Sequence, residues 1–152
     1  MNKREQAAKH FQLLVSALSA GALHHEIHGH IFASQGFSKL GDKYKAHAAE
    51  EREFVSKFIN RLLDLGVVVE QRAAEPMPVF ENFEEYLKHD LDVQQKGMAF
   101  LESIVSLDQV DIGSYDILKE YYLDEEEDLN WSQAQVELIE KIGIQNYLVQ
   151  QI

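Results

Sequence analysis

The sequence predicts an all-α fold, a four-helix bundle in which two helical hairpins are joined by a long crossover and followed by a short fifth helix. Three observations predict it. Apolar residues recur at three- and four-residue spacing in four long stretches, only a tight turn separates the first two, and both prolines fall in one irregular segment between the second and third.

The first stretch runs from Lys3 to about Ser34, with Phe11, Leu14, Val15, Leu18 and Ala22 on one stripe and Gly21 and Gly29 as its weak points. Gln35-Gly36-Phe37 reads as a short turn, so the next helix, Leu40 to Leu65, is an antiparallel neighbour. Phe54, Phe58, Leu62 and Leu65 mark its inner face, and Gly66 ends it. Val67 to Asn82 contains Pro76 and Pro78 and no helical period, which makes it a crossover. The third helix, Phe83 to about Leu107, carries Tyr86, Leu87, Leu91, Met98, Leu101 and Ile104. Gly113-Ser114 opens the fourth, Tyr115 to about Ile142, and Ile144 to Ile152 beyond Gly143 forms the fifth. Helix pair, long crossover, helix pair is the connectivity of the ferritin-like bundle and not of a simple up-and-down one. The whole chain, 1–152, reads as one domain.

Composition narrows the chemistry. An apolar content of 45% with 26% charged residues suits a packed globular chain. No apolar run approaches membrane-spanning length and the N-terminus resembles no signal peptide, so a cytoplasmic location is expected. The absence of cysteine leaves Glu, Asp and His as the only metal donors. A net charge of −12 repels phosphate backbones and anionic lipid, so neither nucleic acid nor membrane is an expected partner, whereas cations are. The acidic run Asp124 to Asp128 lies in the fourth helix beside the stripe Leu129, Trp131, Val136, Leu138, Ile139 and Ile142. Each inward carboxylate costs several kcal/mol unless paired or metal-bound, so Glu125 and Asp128, three apart on one face, point to the site. The bland reading of the run is a solvated helix face.

The run Leu123 to Trp131, its continuation Leu138 to Leu148, Gly36 to Leu40, Phe58 to Leu63 and Leu87-Lys88-His89-Asp90-Leu91 together resemble bacterioferritins over essentially the whole chain. The resemblance implies a di-iron centre in the bundle core, a haem held by one methionine from each subunit across a two-fold interface, and a 24-subunit iron-storage shell built from two-fold dimers. Carried over position by position, however, the family's ligands are depleted. The first glutamate falls on Leu18 and the first histidine on Phe54. Glu51 and Glu125 are retained, while Gln94 replaces a glutamate and Asp128 a histidine. The haem methionine falls on Arg52, with Glu26 and Lys45 nearby, so no haem of the usual kind is expected. Glu26 of one chain is expected to pair with Arg52 of another. Met98 and the histidines leave unusual haem ligation formally open.

A one-residue slide of the second helix would bring Glu50 and Glu53 inward. It would also expose Phe54, Phe58 and Leu62, at roughly 1.5–3 kcal/mol each, and is rejected. Four histidines crowd the first helix: His24, His25, His28 and His30. Helical rotation sends His25 inward behind Leu18 and Ala22, at a position where the family has a tyrosine near the metals. It is a candidate fifth donor beside Glu51, Gln94, Glu125 and Asp128, against the bland reading of a hydrogen-bonded core histidine. His24 and His28 share another face at metal-compatible spacing, with a solvated polar face as the bland reading. His47 and Glu50 are expected to face the cavity of a shell, as a mineral-nucleating pair or an ordinary exposed surface.

Three functions follow. The first is an iron-storage shell subunit with a degenerate ferroxidase centre, which can co-assemble with an active subunit. The second is a ferroxidase, or other oxygen- or peroxide-handling enzyme, rebuilt from His25, Glu51, Gln94, Glu125 and Asp128, with Trp131 and Tyr121 or Tyr122 supplying electrons. The third is a non-mineralising protein binding Zn²⁺ or Fe²⁺.

Overall fold

The computed structural model describes residues 1–152. Its elements are α1 (Lys3–Ser34), α2 (Ser38–Asp64), α3 (Phe83–Ile104), α4 (Ile112–Ile142) and α5 (Ile144–Val149), with no strand, as the connectivity predicts. No helix is long and apolar enough to cross a membrane. Asn2 caps α1, accepting from the Glu5 N–H at 2.9 Å while the Glu5 carboxylate accepts from the Asn2 N–H at 3.2 Å.

Helix ends depart slightly from the sequence reading. α4 starts at Ile112, earlier than Tyr115, because the Asp111 carboxylate accepts from the Ser114 N–H and caps the first turn. Arg61, at the end of α2, ties that corner down through Asp111 Oδ2 at 2.5 Å and Ser114 Oγ at 3.1 Å. α3 stops at Ile104, short of Leu107, and the chain then buries Val110 beneath the turn. α5 ends at Val149.

α1 and α2 approach closely through small residues. A Cβ on Gly41 would fall 2.7 Å from the Ala33 Cβ and 2.9 Å from the Gly29 carbonyl oxygen, so glycine is required there. The crossover is not free. Gln12 exchanges two hydrogen bonds with the Glu70 backbone, His24 Nε2–H donates to the Pro78 carbonyl at 2.8 Å, and the Phe80 N–H donates to His28 Nε2 at 2.9 Å. This corrects the solvated-face reading of His24 and His28. Both are buried, because an irregular segment laid across α1 needs side chains to satisfy its backbone.

The interior has two apolar clusters. One gathers Phe11, Leu14, Leu18, Phe54, Phe58, Leu62, Met98, Leu101 and Leu118. The other gathers Phe32, Leu40, Tyr44, Phe83, Tyr86, Leu87, Ile139 and Tyr147. Between them along the bundle lies a band of buried polar side chains: His25, His47, Glu51, Asp90, Gln94, Asp128 and Ser132.

Candidate metal centre

Each helix delivers its polar residues through the same three- and four-residue stripe that builds the cores. On α2 the buried positions run Tyr44, His47, Glu51, Phe54, Phe58; on α3 they run Tyr86, Leu87, Asp90, Gln94, Met98. α1 adds Leu18, Ala22 and His25, and α4 adds Tyr121 and Asp128, with Glu125 one turn from each.

His25 sits at the middle of one half of the band. Its Nδ1 lies 2.5 Å from Glu51 Oε1 and its Nε2 lies 2.9 Å from Asp90 Oδ1. Carboxylate oxygens only accept, so both ring nitrogens donate and the ring is an imidazolium. Burial alone would push His25 down, but Asp90 and Glu51 outweigh it and hold its pKa well above the ordinary histidine range. Asp90 shows the reciprocal effect: burial pushes it up, the His25 charge more than offsets that, and the carboxyl stays below its usual range.

The other half is organised around His47, which stacks on His25 with ring centroids 4.3 Å apart. His47 Nε2 is 3.0 Å from Asp128 Oδ2 and 3.7 Å from Glu51 Oε1. Neither approach is aligned as a hydrogen bond, and His47 Nε2, Asp128 Oδ2, Glu125 Oε1, Gln94 Oε1 and Asp90 Oδ2 are all buried without a partner. Burial, followed by the Glu51 and Asp128 charges, pushes the Glu125 carboxyl well above its ordinary range.

Of the residues the sequence proposes, His25, Glu51, Gln94 and Glu125 line a single cavity of about 200 Å³, shared with Asp90 and Tyr121. Its rim includes Leu13, Val93 and Phe100 from α1 and α3. Asp128 borders the band beside His47. Leu18 and Phe54 are buried among hydrocarbon, and Phe54 packs on Tyr121 at 5.2 Å. Glu50 and Glu53 are exposed and line a groove with Asp124 and Glu127, so the unslid register holds. Tyr122 points away to Glu102.

Three placements differ from expectation. His47 does not face outward with Glu50: it is buried, because extending the α2 stripe back from Phe54 through Glu51 reaches it. Arg52 forms its ion pair with Glu26 of the same chain, since the two residues face each other across α1 and α2. Asp90 is a site residue that the sequence reading lacks. Its signal is the spacing Leu87, Asp90, Gln94, which lies on the inner stripe, whereas Leu91 is only half-buried.

A pair of carboxylate-bridged irons does not fit these residues. Leu18 and Phe54 supply no donor, and Glu51, the natural bridge, is bound to the His25 imidazolium. Two partly overlapping donor groups remain, His25 with His47 and Glu51, and His47 with Glu125 and Asp128. Only the second is free of competing hydrogen bonds.

The comparisons with known proteins agree with the connectivity. The model for the ferritin-like domain matches residues 10–142. The chain is similar to a bacterial ferritin of Synechocystis, 32% identical over 129 residues and covering 83% of each protein. A bacterial ferritin of Neisseria meningitidis is 27% identical over the full length of both. A bacterioferritin of Brucella melitensis is 26% identical over 80% of this chain and 76% of that protein.

Proposed function

Because this chain belongs to the ferritin-like family, we propose that it is an iron-storage shell subunit with a degenerate ferroxidase centre. Iron is its cargo, taken up as Fe²⁺ and kept as mineral inside the shell. The observation that carries the reading is the replacement of donors by hydrocarbon at Leu18 and Phe54, together with the engagement of Glu51 by His25. Four of the six positions keep a donor, namely Glu51, Gln94, Glu125 and Asp128, and their arrangement is lopsided.

The shell is a 24-subunit assembly of two-fold dimers in the cytoplasm, either homo-oligomeric or mixed with a ferroxidase-active subunit. The Arg52–Glu26 pair places charge where the family's haem methionine would be, which supports a two-fold interface without the usual haem. The acidic groove of Glu50, Glu53, Asp124 and Glu127 supports mineral contact from the surface of α2 and α4.

A second reading, an oxygen- or peroxide-handling enzyme, draws support from the cavity that reaches His25, Glu51, Gln94, Glu125 and Tyr121 from an apolar rim. Stopped-flow oxidation of Fe²⁺ separates the two. Slow autoxidation unchanged in Glu51→Ala fits storage, while a fast phase abolished by that substitution fits the enzyme. Light scattering tests the shell independently, and a cavity-less dimer would refute storage.

A further inference from the structure

We propose that His47, Glu125 and Asp128 form a mononuclear site for one divalent first-row transition-metal ion, set beside a half-centre whose side chains already hold one another, His25 between Glu51 and Asp90. This goes beyond the storage reading and does not rest on it, since the site lies wholly inside one subunit.

Three unpartnered buried atoms converge there: His47 Nε2, Glu125 Oε1 and Asp128 Oδ2. Residue exposure is 6% at His47 and 8% at Asp128, so water does not readily satisfy them. Suitable donor atoms of the three lie within 4.8 Å of one another, with His47 Nε2 and Asp128 Oδ2 at 3.0 Å. Ligands about 2.1 Å from a tetrahedrally held ion stand about 3.4 Å apart, so rotations that move side-chain atoms by no more than about 1.4 Å close the shell. One imidazole nitrogen and two carboxylates suit Fe²⁺, Co²⁺ or Zn²⁺ better than Mg²⁺ or Ca²⁺, which favour all-oxygen shells. The ion would relieve the crowding of the Glu125 and Asp128 carboxylates.

His25 explains why one ion binds and not two. Both its nitrogens are spent on Glu51 and Asp90, and its ring stacks on His47 with centroids 4.3 Å apart, occupying the space that a second ion beside Glu51 would need. Glu125 and Asp128 fall on two of the six positions of the family's di-iron ligands, and His47 is the donor that lies outside them.

Titration of the intact, metal-free protein with Co²⁺, followed by visible absorption and calorimetry, tests the proposal. The expected stoichiometry is one Co²⁺ per chain. His47→Ala and Asp128→Asn each weaken binding at least about a hundredfold, while Glu140→Gln on the exposed face of α4 leaves it unchanged. A wild-type crystal soaked in Co²⁺ and measured at the cobalt edge gives a readout that needs no variant to fold. One anomalous peak in contact with His47 Nε2 supports the site. No peak in the band, two peaks there, or one peak that does not touch His47 overturns it, whatever the assembly state proves to be.

Discussion

The two halves of the polar band use the same residue types to opposite ends. Around His25, an imidazole bridges two carboxylates so that both its nitrogens are donors and its charge is matched on the spot. Around His47, an imidazole meets two carboxylates from one side, leaving atoms of all three without a partner. The same ingredients close into an ion-pair network or stay open as a binding site according to whether the ring lies between the acids or beside them. A buried charge cluster therefore says little about metal until its hydrogen bonds have been counted.

Breaking the closed half has the largest expected effect. Asp90→Ala leaves the His25 charge half unpaired in the interior and costs about 3–5 kcal/mol, read as a fall in the urea midpoint. An unchanged midpoint would mean that His25 is neutral and the two halves are alike. Metal sharpens the contrast next. Co²⁺ at a hundredfold excess over its dissociation constant stabilises the folded chain by about 2.7 kcal/mol, a rise of roughly 5–10 °C in Tm for a chain of this size.

Acid acts on a third group of histidines, those beneath the crossover. His28 donates through Nδ1 to the His24 carbonyl and accepts at Nε2, so burial pushes its pKa down from 6.5 to about 4. The folded state holds that proton less tightly than the unfolded state. The contribution to stability is therefore complete above about pH 6.5 and is lost as pH falls towards 4. Thermal melts should show Tm declining across that window, and His28→Gln, which keeps a donor and an acceptor, should flatten the decline. The smallest effect belongs to Glu125→Gln. A carboxyl already pushed towards its neutral form is replaced by an amide of the same shape, so apo stability shifts by no more than about 1 kcal/mol while Co²⁺ affinity falls.

Much of this architecture was legible in the residues. Stripe periodicity locates all four long helices, Pro76 and Pro78 mark the crossover, Leu18 and Phe54 lie on those stripes and His25 follows them by helical rotation, whereas Glu51 is reached through the resemblance to bacterioferritins. The misses share one cause. An apolar stripe ends where its apolar residues end, so it does not reach His47, one turn before Glu51, or Asp90, one turn before Gln94, although both continue the same faces. His24 and His28 read as a metal-spaced pair or a solvated face because nothing local reveals that a proline-containing segment lies across them and needs their nitrogens.

The sequence by itself determined the helices and their pairing, because periodicity and turn length are properties of the chain alone. Only the tertiary structure decided which acid each histidine meets. That choice depends on Glu51, Asp90 and Asp128 arriving from three different helices within hydrogen-bond distance of two rings, and angles and distances across a bundle are set by how its cores pack.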